Sequence, residues 1–201
     1  MLDKIQMQFW EACSDGGVEE VRKLLQNRQI NINQVSNGET PFYVACKNGH
    51  IEIVKLLFKD ERLDINKATN DGWTPFYIAC QKGDMEIVKL LLNDERVDTN
   101  KADKKVETPF LLACYWGETE IVKLLLNENR VDVNKARNDT TPLYIACQNG
   151  YIEIIELLLN DKRVSIRKKT QGGKTAFDIA MTNNHSEVVK LIKEIDTGIS
   201  Y

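Results

Sequence analysis

Five cysteines are the residues of this 201-residue chain whose chemistry is most quickly tested by their spacing. They are Cys13, Cys46, Cys80, Cys114 and Cys147, at intervals of 33, 34, 34 and 33 residues. A zinc site would need close C-x2–4-C pairs, and a disulfide framework would need an even number of cysteines in a secreted chain. We therefore interpret the cysteines as small buried hydrophobic residues that mark one position of a repeat.

Other chemistry-bearing motifs are absent from the sequence. It contains no G-x-S-x-G, H-E-x-x-H, P-loop or G-x-G-x-x-G motif. Carboxylates are common, but they recur once per repeat near helix starts and turns, which is typical of a solvated face. We predict that the chain is not an enzyme and has no catalytic residue, metal site, cofactor or small-molecule substrate.

Composition narrows the class of protein further. The chain is 42% hydrophobic and 28% charged, with a formal net charge of −3 and a pI near 5.6. This charge argues against general nucleic-acid binding, which needs a basic face. The sequence has no apolar run long enough for a transmembrane helix, and its N-terminus does not resemble a signal peptide. We expect a cytoplasmic protein, with the nucleus as the alternative.

A ten-residue motif then explains the cysteine spacing. TPFYVACKNG at 40–49 returns as TPFYIACQKG at 74–83, TPFLLACYWG at 108–117 and TPLYIACQNG at 141–150. Repeated Asn and Leu-Leu positions keep the same period, which indicates a repeat architecture. We predict one domain over residues 1–201, built from six repeats at 1–35, 36–69, 70–103, 104–136, 137–170 and 171–201.

Each repeat is predicted to form two helices. Thr74 is a suitable N-cap and Pro75 a suitable first residue for one helix, and Gly83 is expected to end it. A second helix follows, with an apolar stripe formed by Met85, Val88, Leu91 and Leu92. Two such short helices cannot bury their apolar faces alone, so neighbouring repeats are expected to stack.

These motifs resemble the ankyrin repeat. The family start T-P-L-H-x-A appears here as TPFYIA, its central glycine as Gly83, and its D-V-N end as Val131-Asp132-Val133-Asn134. The resemblance covers essentially the whole chain and implies an all-α ankyrin-repeat solenoid of six helix-turn-helix units. It also implies β-hairpin-like fingers, which we define as the segments from each repeated asparagine to the next threonine, and a concave surface that binds another protein.

Three departures from the family pattern carry structural expectations. The family histidine is replaced by Tyr43, Tyr77, Leu111, Tyr144 and Asp178. A tyrosine hydroxyl is expected to reach a backbone partner, which Leu111 cannot do. The segment before the repeated asparagine is one residue longer than in the usual family pattern in every repeat, so we expect this insertion to be structural. The fingers also differ in length, and one of them carries Val106 where Gly72 stands, a poor choice if a positive φ is needed.

Positions that vary between repeats are free to serve a partner. Most are polar, but Trp73, Tyr115 and Trp116 are large aromatics on repeats 3 and 4, and such residues often anchor interfaces. We predict a protein partner, not identified by sequence, bound by a monomer on the surface formed by fingers and first helices. The predicted site is Trp73, Tyr115, Trp116, Asn70, Asp71, Gln81, Lys82, Lys104, Lys105 and Glu107. In the alternative interpretation, one or more of the aromatics pack on a neighbouring finger.

A basic segment supports a second hypothesis. Residues 161–175 contain six basic side chains and one acidic side chain. An acidic protein, a phosphoinositide headgroup or a nucleic acid could bind at Arg163, Arg167, Lys168, Lys169 and Lys174. The alternative is a solvated loop. The sequence does not identify the partner, and it does not distinguish a scaffold from an inhibitor. It also leaves open the oligomeric state and whether these residues are the full protein.

Overall fold

The fold is all-α. A computed structural model describes residues 2–196, and over this range the secondary structure is twelve α-helices in six consecutive pairs, with no β-strand. The predicted class, an all-α repeat solenoid, is confirmed. The chain divides into two compact units, which we call unit 1 (Met1–Lys104) and unit 2 (Lys105–Tyr201). The six repeat boundaries and the single domain remain predictions.

Unit 1 contains three helix pairs in two layers. The first helix of each pair packs beside the first helix of the next, and the second helices form a second row in which neighbours also contact one another. The first layer is α1 (Leu2–Asp15), α3 (Pro41–Lys47) and α5 (Pro75–Lys82), and the second is α2 (Val18–Leu25), α4 (Ile51–Phe58) and α6 (Met85–Leu92).

Unit 2 repeats this arrangement. Its first helices contact one another in chain order, and so do its second helices. The first layer is α7 (Pro109–Trp116), α9 (Pro142–Asn149) and α11 (Ala176–Thr182), and the second is α8 (Thr119–Leu126), α10 (Ile152–Asn160) and α12 (Ser186–Asp196).

As predicted, Thr-Pro pairs begin α3, α5, α7 and α9, and glycines end α5, α7 and α9. The Thr74 hydroxyl accepts a hydrogen bond from the Tyr77 amide at 3.0 Å, and Pro75 is the first residue of α5. Gly83 ends α5 with a φ of 67°, a conformation that only glycine adopts readily. The residues just before this glycine therefore lie at the end of the first helix, where several predicted binding residues are found.

The second helices supply much of the core. In α6, Ile87, Val88 and Leu91 are fully buried and Leu92 is nearly so. The prediction that Met85 belongs to the buried stripe is wrong, because Met85 begins α6 and is only half-buried. Ile87, two residues further into the helix, is fully buried instead.

The longer segment before each repeated asparagine carries a link between repeats. In unit 1 the Arg62 guanidinium pairs with Asp60 at 2.6 Å. It also donates hydrogen bonds to the main-chain oxygens of Arg28 and Ile30 in the preceding repeat. The hydrogen bonds from Arg62 hold the pKa of the Asp60 carboxyl below its ordinary value. This link lies in the segment that contains the extra residue, and the structural role of the insertion itself stays a prediction.

The repeated asparagines form a second link. Asn134 donates its Nδ2 to the main-chain oxygen of Arg163 at 2.6 Å, and its Oδ1 accepts from the Ser165 amide at 2.7 Å. Asn33 and Asn66 make the same pair of bonds to the repeat that follows each of them. One side chain therefore satisfies a backbone donor and a backbone acceptor of the neighbouring repeat.

Replacing Asn134 by Ala is expected to lower the free energy of unfolding by about 1–2 kcal/mol, because two backbone groups lose their partner. Urea denaturation followed by circular dichroism measures the change. Asn129→Ala is the matched control, since Asn129 is exposed in a loop of the same unit, and it should change stability by less than about 0.5 kcal/mol. Equal losses from both variants would contradict the proposed link.

The two finger lengths correspond to two kinds of turn. In the shorter finger (33–40), Ser36 and Glu39 exchange two main-chain hydrogen bonds around Asn37 and Gly38, whose φ values are 52° and 83°. This is the two-residue turn that favours Asn-Gly. In the longer finger (66–74), Gly72 has a φ of 90° and its amide donates to the Thr69 oxygen. One inserted residue thus changes the turn type.

Candidate functional site

Trp73 lies at the end of a finger in unit 1 and is half-buried. Its ring stacks on Tyr77, with centroids 6.1 Å apart and 11° between the planes. Its indole N–H donates to Asp103 Oδ2 at 3.2 Å. Trp73 thus packs on the following finger of its own unit, which is the alternative that the sequence left open for the aromatics.

The Asp103 carboxylate also binds the hydroxyl of Tyr77, one of the tyrosines that stand in place of the family histidine. The Tyr77 hydroxyl donates to the same Asp103 oxygen at 3.2 Å, and Asp103 is only 7% exposed. Tyr43 is the equivalent residue one repeat earlier. Its hydroxyl is buried and has no hydrogen-bond partner among the described residues. The expectation that each tyrosine hydroxyl reaches a backbone group is wrong for Tyr43. The Tyr77 hydroxyl bonds to a side chain, Asp103, and one repeat earlier Thr69 stands at the position that is equivalent to Asp103.

The two tyrosines are expected to respond differently to loss of the hydroxyl. Tyr77→Phe should lower the free energy of unfolding by about 1–2 kcal/mol, because it removes a donor from a buried carboxylate. Tyr43→Phe should be neutral or slightly stabilising, because it removes a buried polar atom that makes no hydrogen bond. Parallel urea titrations compare them, and a loss at Tyr43 as large as that at Tyr77 would contradict this account.

Tyr115 and Trp116 form an exposed aromatic pair in unit 2. They are 45% and 52% exposed, and they are the aromatic members of the exposed large hydrophobic residues in the described range. Their rings meet edge to face, with centroids 5.1 Å apart and an angle of 86°. The Tyr115 main-chain oxygen accepts a hydrogen bond from Asn149 Nδ2 at 3.1 Å, which fixes the end of α7 against α9. The pair is thus held in place while its rings remain accessible.

A cavity of about 160 Å³ lies beside this pair. Glu107 and Arg137 form an ion pair at it. The lining residues are Glu107, Leu111, Tyr115, Arg137, Thr140, Tyr144, Ile145 and Gln148. The structure therefore brings together Tyr115 and Glu107, both predicted from sequence. It adds Arg137 and Gln148, whose variation between repeats is the signal that could have found them.

The ten predicted partner-binding residues divide between the two units. Six lie in unit 1, and four lie in unit 2. Those of unit 1 are Asn70, Asp71, Trp73, Gln81, Lys82 and Lys104, and those of unit 2 are Lys105, Glu107, Tyr115 and Trp116. All are exposed except Trp73, Gln81 and Glu107, which are half-buried. Their joint role as one surface remains a prediction.

Comparison with protein-family models gives a direct result. The model described as ankyrin repeats, three copies, matches residues 9–103, 61–137, 82–170 and 133–200. These overlapping matches cover nearly the whole chain. The chain belongs to the ankyrin-repeat family. A search of curated proteins returns no significant match. Ankyrin repeats are generally protein–protein interaction modules and are typically non-catalytic. Within residues 2–196, no helix is long and apolar enough to cross a membrane.

The basic segment of this ankyrin-repeat chain is only partly available for a ligand. The Arg163 guanidinium pairs with Asp161 at 2.6 Å and donates to the Leu126 main-chain oxygen at 2.5 Å. It therefore links repeats, as Arg62 does in unit 1. The other predicted cations of this segment have exposed side chains: Arg167, Lys168, Lys169 and Lys174.

The ankyrin-repeat cysteines are buried thiols. All five are free and at most 1% exposed. Burial raises the pKa of Cys13 and of Cys147 to about 12, and it also raises the pKa of Cys46, Cys80 and Cys114. A thiolate is the reactive form of cysteine, so these residues lack the environment of a redox or nucleophilic site.

Proposed function

We propose that this ankyrin-repeat chain is a non-enzymatic interaction module, acting as an adaptor, a scaffold or an inhibitor. It binds a protein partner through the surface of fingers and first helices, with anchors at Trp73, Tyr115 and Trp116. The observation that carries the proposal is the exposure of Tyr115 and Trp116 beside a cavity. Aromatic residues of this kind dominate the energetics of many interfaces.

The contribution of Trp73 is smaller in this proposal. Its N–H is already bonded to Asp103 and one ring face lies against Tyr77, so only part of the side chain is available to a partner. Trp73→Ala would also remove packing from unit 1. The decisive variant is therefore Tyr115→Ala/Trp116→Ala, because about half of each of these side chains is exposed to a partner.

The test compares three baits in a pull-down from lysate: the wild type, Tyr115→Ala/Trp116→Ala and Asn129→Ala. All three should give the same helical circular dichroism spectrum and nearly the same midpoint in urea. A protein retained by the wild type and Asn129→Ala should bind the aromatic double variant at least 30-fold more weakly, as expected for hot-spot residues. Retention of the same proteins by all three baits would refute these two anchors.

The second candidate function is binding of an anionic partner by the basic segment. It is favoured by the exposed cations at 167–169 and 174, and by a shallow groove of about 610 Å³ lined by Arg167 and Lys168 together with Ile166 and Ile195. Its signature is different from that of the aromatic surface. Binding should weaken steeply as salt rises and when Lys168 and Lys169 become Gln, and should not respond to loss of Tyr115 and Trp116.

A further inference from the structure

We propose that the cavity of unit 2 is a specificity pocket that takes one neutral side chain of leucine to phenylalanine size from the partner protein. This inference rests on the proposed function, because it names the part of the partner that the surface recognises. It also assigns roles to Leu111 and Thr140, which the sequence did not include in the site.

The cavity exists where two large residues of unit 1 have small counterparts in unit 2. At the first position, Tyr43 in unit 1 is fully buried, and Leu111 is its equivalent. At the second, Trp73 stacks on Tyr77 in unit 1, and Thr140 is its equivalent. Both Leu111 and Thr140 line the cavity. Two replacements of an aromatic by a smaller side chain at neighbouring positions therefore leave a space beside the first helices.

The size of the space limits its occupant. A volume of about 160 Å³ corresponds to roughly five waters, at about 30 Å³ for each water in the liquid. A side chain of four to seven heavy atoms fits this volume. A tryptophan is too large to enter fully, and an alanine would leave most of the space unfilled.

The charges of the lining favour a neutral occupant. One acid and one base line the cavity, Glu107 and Arg137, and they pair with each other. A charged side chain entering the space would lose hydration without an uncommitted counter-charge, which is unfavourable. Four of the other six lining residues offer apolar or ring surface, namely Leu111, Tyr115, Tyr144 and Ile145, and the remaining two, Thr140 and Gln148, add neutral polar groups. Burial of an aliphatic or phenyl group against that wall is favourable.

The first test needs no variant. The full chain, labelled with ¹⁵N, is titrated with N-acetyl-leucinamide, N-acetyl-phenylalaninamide, N-acetyl-argininamide and N-acetyl-glutamate amide. The two apolar probes should give saturable shifts at the amides of Leu111, Tyr115 and Gln148, with a Kd in the millimolar range expected for so few atoms. The charged probes should bind at least tenfold more weakly. No saturable shift from either apolar probe, or equal binding of argininamide, would overturn the proposal.

The second test fills the cavity with the residues that unit 1 carries. In Leu111→Tyr/Thr140→Trp both new side chains are ones that the fold already accepts at the equivalent positions. The Leu111 amide also makes the same N-cap bond to Thr108 that the Tyr43 amide makes to Thr40. This variant should lose the shifts from the apolar probes, whereas Asn129→Ala should keep them.

The same variant separates this inference from the proposed function. Suppose that a partner lost by Tyr115→Ala/Trp116→Ala is retained by Leu111→Tyr/Thr140→Trp at wild-type strength. The aromatic surface would then stand and the pocket would be refuted. Loss of that partner from both variants, at least tenfold for the filled cavity, supports the pocket. If neither variant loses a partner, the proposed function has failed, and the probe titration alone decides whether the cavity binds a side chain.

Discussion

Raising the pH above about 9 is expected to destabilise the protein by up to about 7 kcal/mol per pH unit and to unfold it between about pH 9.5 and 10.5. The cause is the set of five buried cysteines. In the unfolded chain a thiol ionises with a pKa near 8.5. In the folded chain burial raises the pKa, to about 12 for Cys13 and Cys147, so the thiols stay neutral.

The direction of the effect follows from proton linkage. Below about pH 7 both states hold the thiol protons, and the cysteines add no pH dependence. Above the unfolded pKa the unfolded state has lost these protons while the folded state keeps them, so stability falls as pH rises until the folded thiols ionise. Each cysteine then contributes a slope of about 1.4 kcal/mol per pH unit. Because most domains are stable by about 5–15 kcal/mol, five such residues are enough to unfold this one.

The measurement is urea denaturation at several pH values from 7 to 10.5 with a thiol reductant present. The matched variant is Cys46→Ala/Cys80→Ala/Cys114→Ala, which should flatten the slope by about 4 kcal/mol per pH unit, even though it lowers stability at pH 7. A slope that is the same in the wild type and the triple variant would show that the cysteines are not responsible. Lysine and tyrosine titration would then have to be considered instead.

Exchanging valine and glycine at one finger position is expected to give opposite changes in stability. Gly72→Val should cost about 2–4 kcal/mol. The residue has a φ of 90°, and a Cβ there would lie 3.0 Å from the Asp103 Cα and the Lys104 backbone nitrogen, which cannot turn aside as a flexible side chain could. Val106 holds the equivalent position in unit 2 with a φ of 66° and is 49% exposed.

Val106→Gly should raise stability by up to about 1 kcal/mol, because relief of the left-handed valine exceeds the entropy that glycine loses on folding. Both variants are measured against the wild type by urea denaturation at pH 7. Gly38→Ala is a useful intermediate, since Gly38 has a φ of 83° and a Cβ there would meet the end of the Asn70 side chain rather than backbone. A loss of more than 1 kcal/mol in Val106→Gly would refute the strain assigned to Val106.

Local signals in the sequence predict much of this fold. A threonine N-cap bonds to an amide three residues further along the chain, and the proline that follows it suits the first helical position. A glycine can end the helix because it readily adopts a positive φ. The limits of α5 therefore follow from Thr74, Pro75 and Gly83. The same reasoning predicts the conflict at Val106, because the position has glycine in other fingers and the turn demands a positive φ. Periodicity identifies the buried stripes, although at Met85 it misjudges the edge of a helix.

The candidate site depended mainly on contacts between residues that are distant in the sequence, such as Trp73 with Asp103. Sequence alone presents Trp73, Tyr115 and Trp116 as three similar aromatics. The structure separates them, because Asp103 and Tyr77 engage Trp73, whereas the rings of Tyr115 and Trp116 remain about half exposed. In the same way Arg163 reads as one more cation of a basic run until the carbonyl that it binds, Leu126, is seen.

The repeat, its helices and its capping residues could thus be predicted from the sequence, because the signals for them are local and recur in several repeats. Which side chains are engaged by neighbours, and where space remains between them, followed from the packing of the folded chain. The cavity beside Tyr115 shows why. It results from Leu111 and Thr140 meeting across two adjacent repeats, and the volume between two side chains is a property of their packing that neither residue type contains alone.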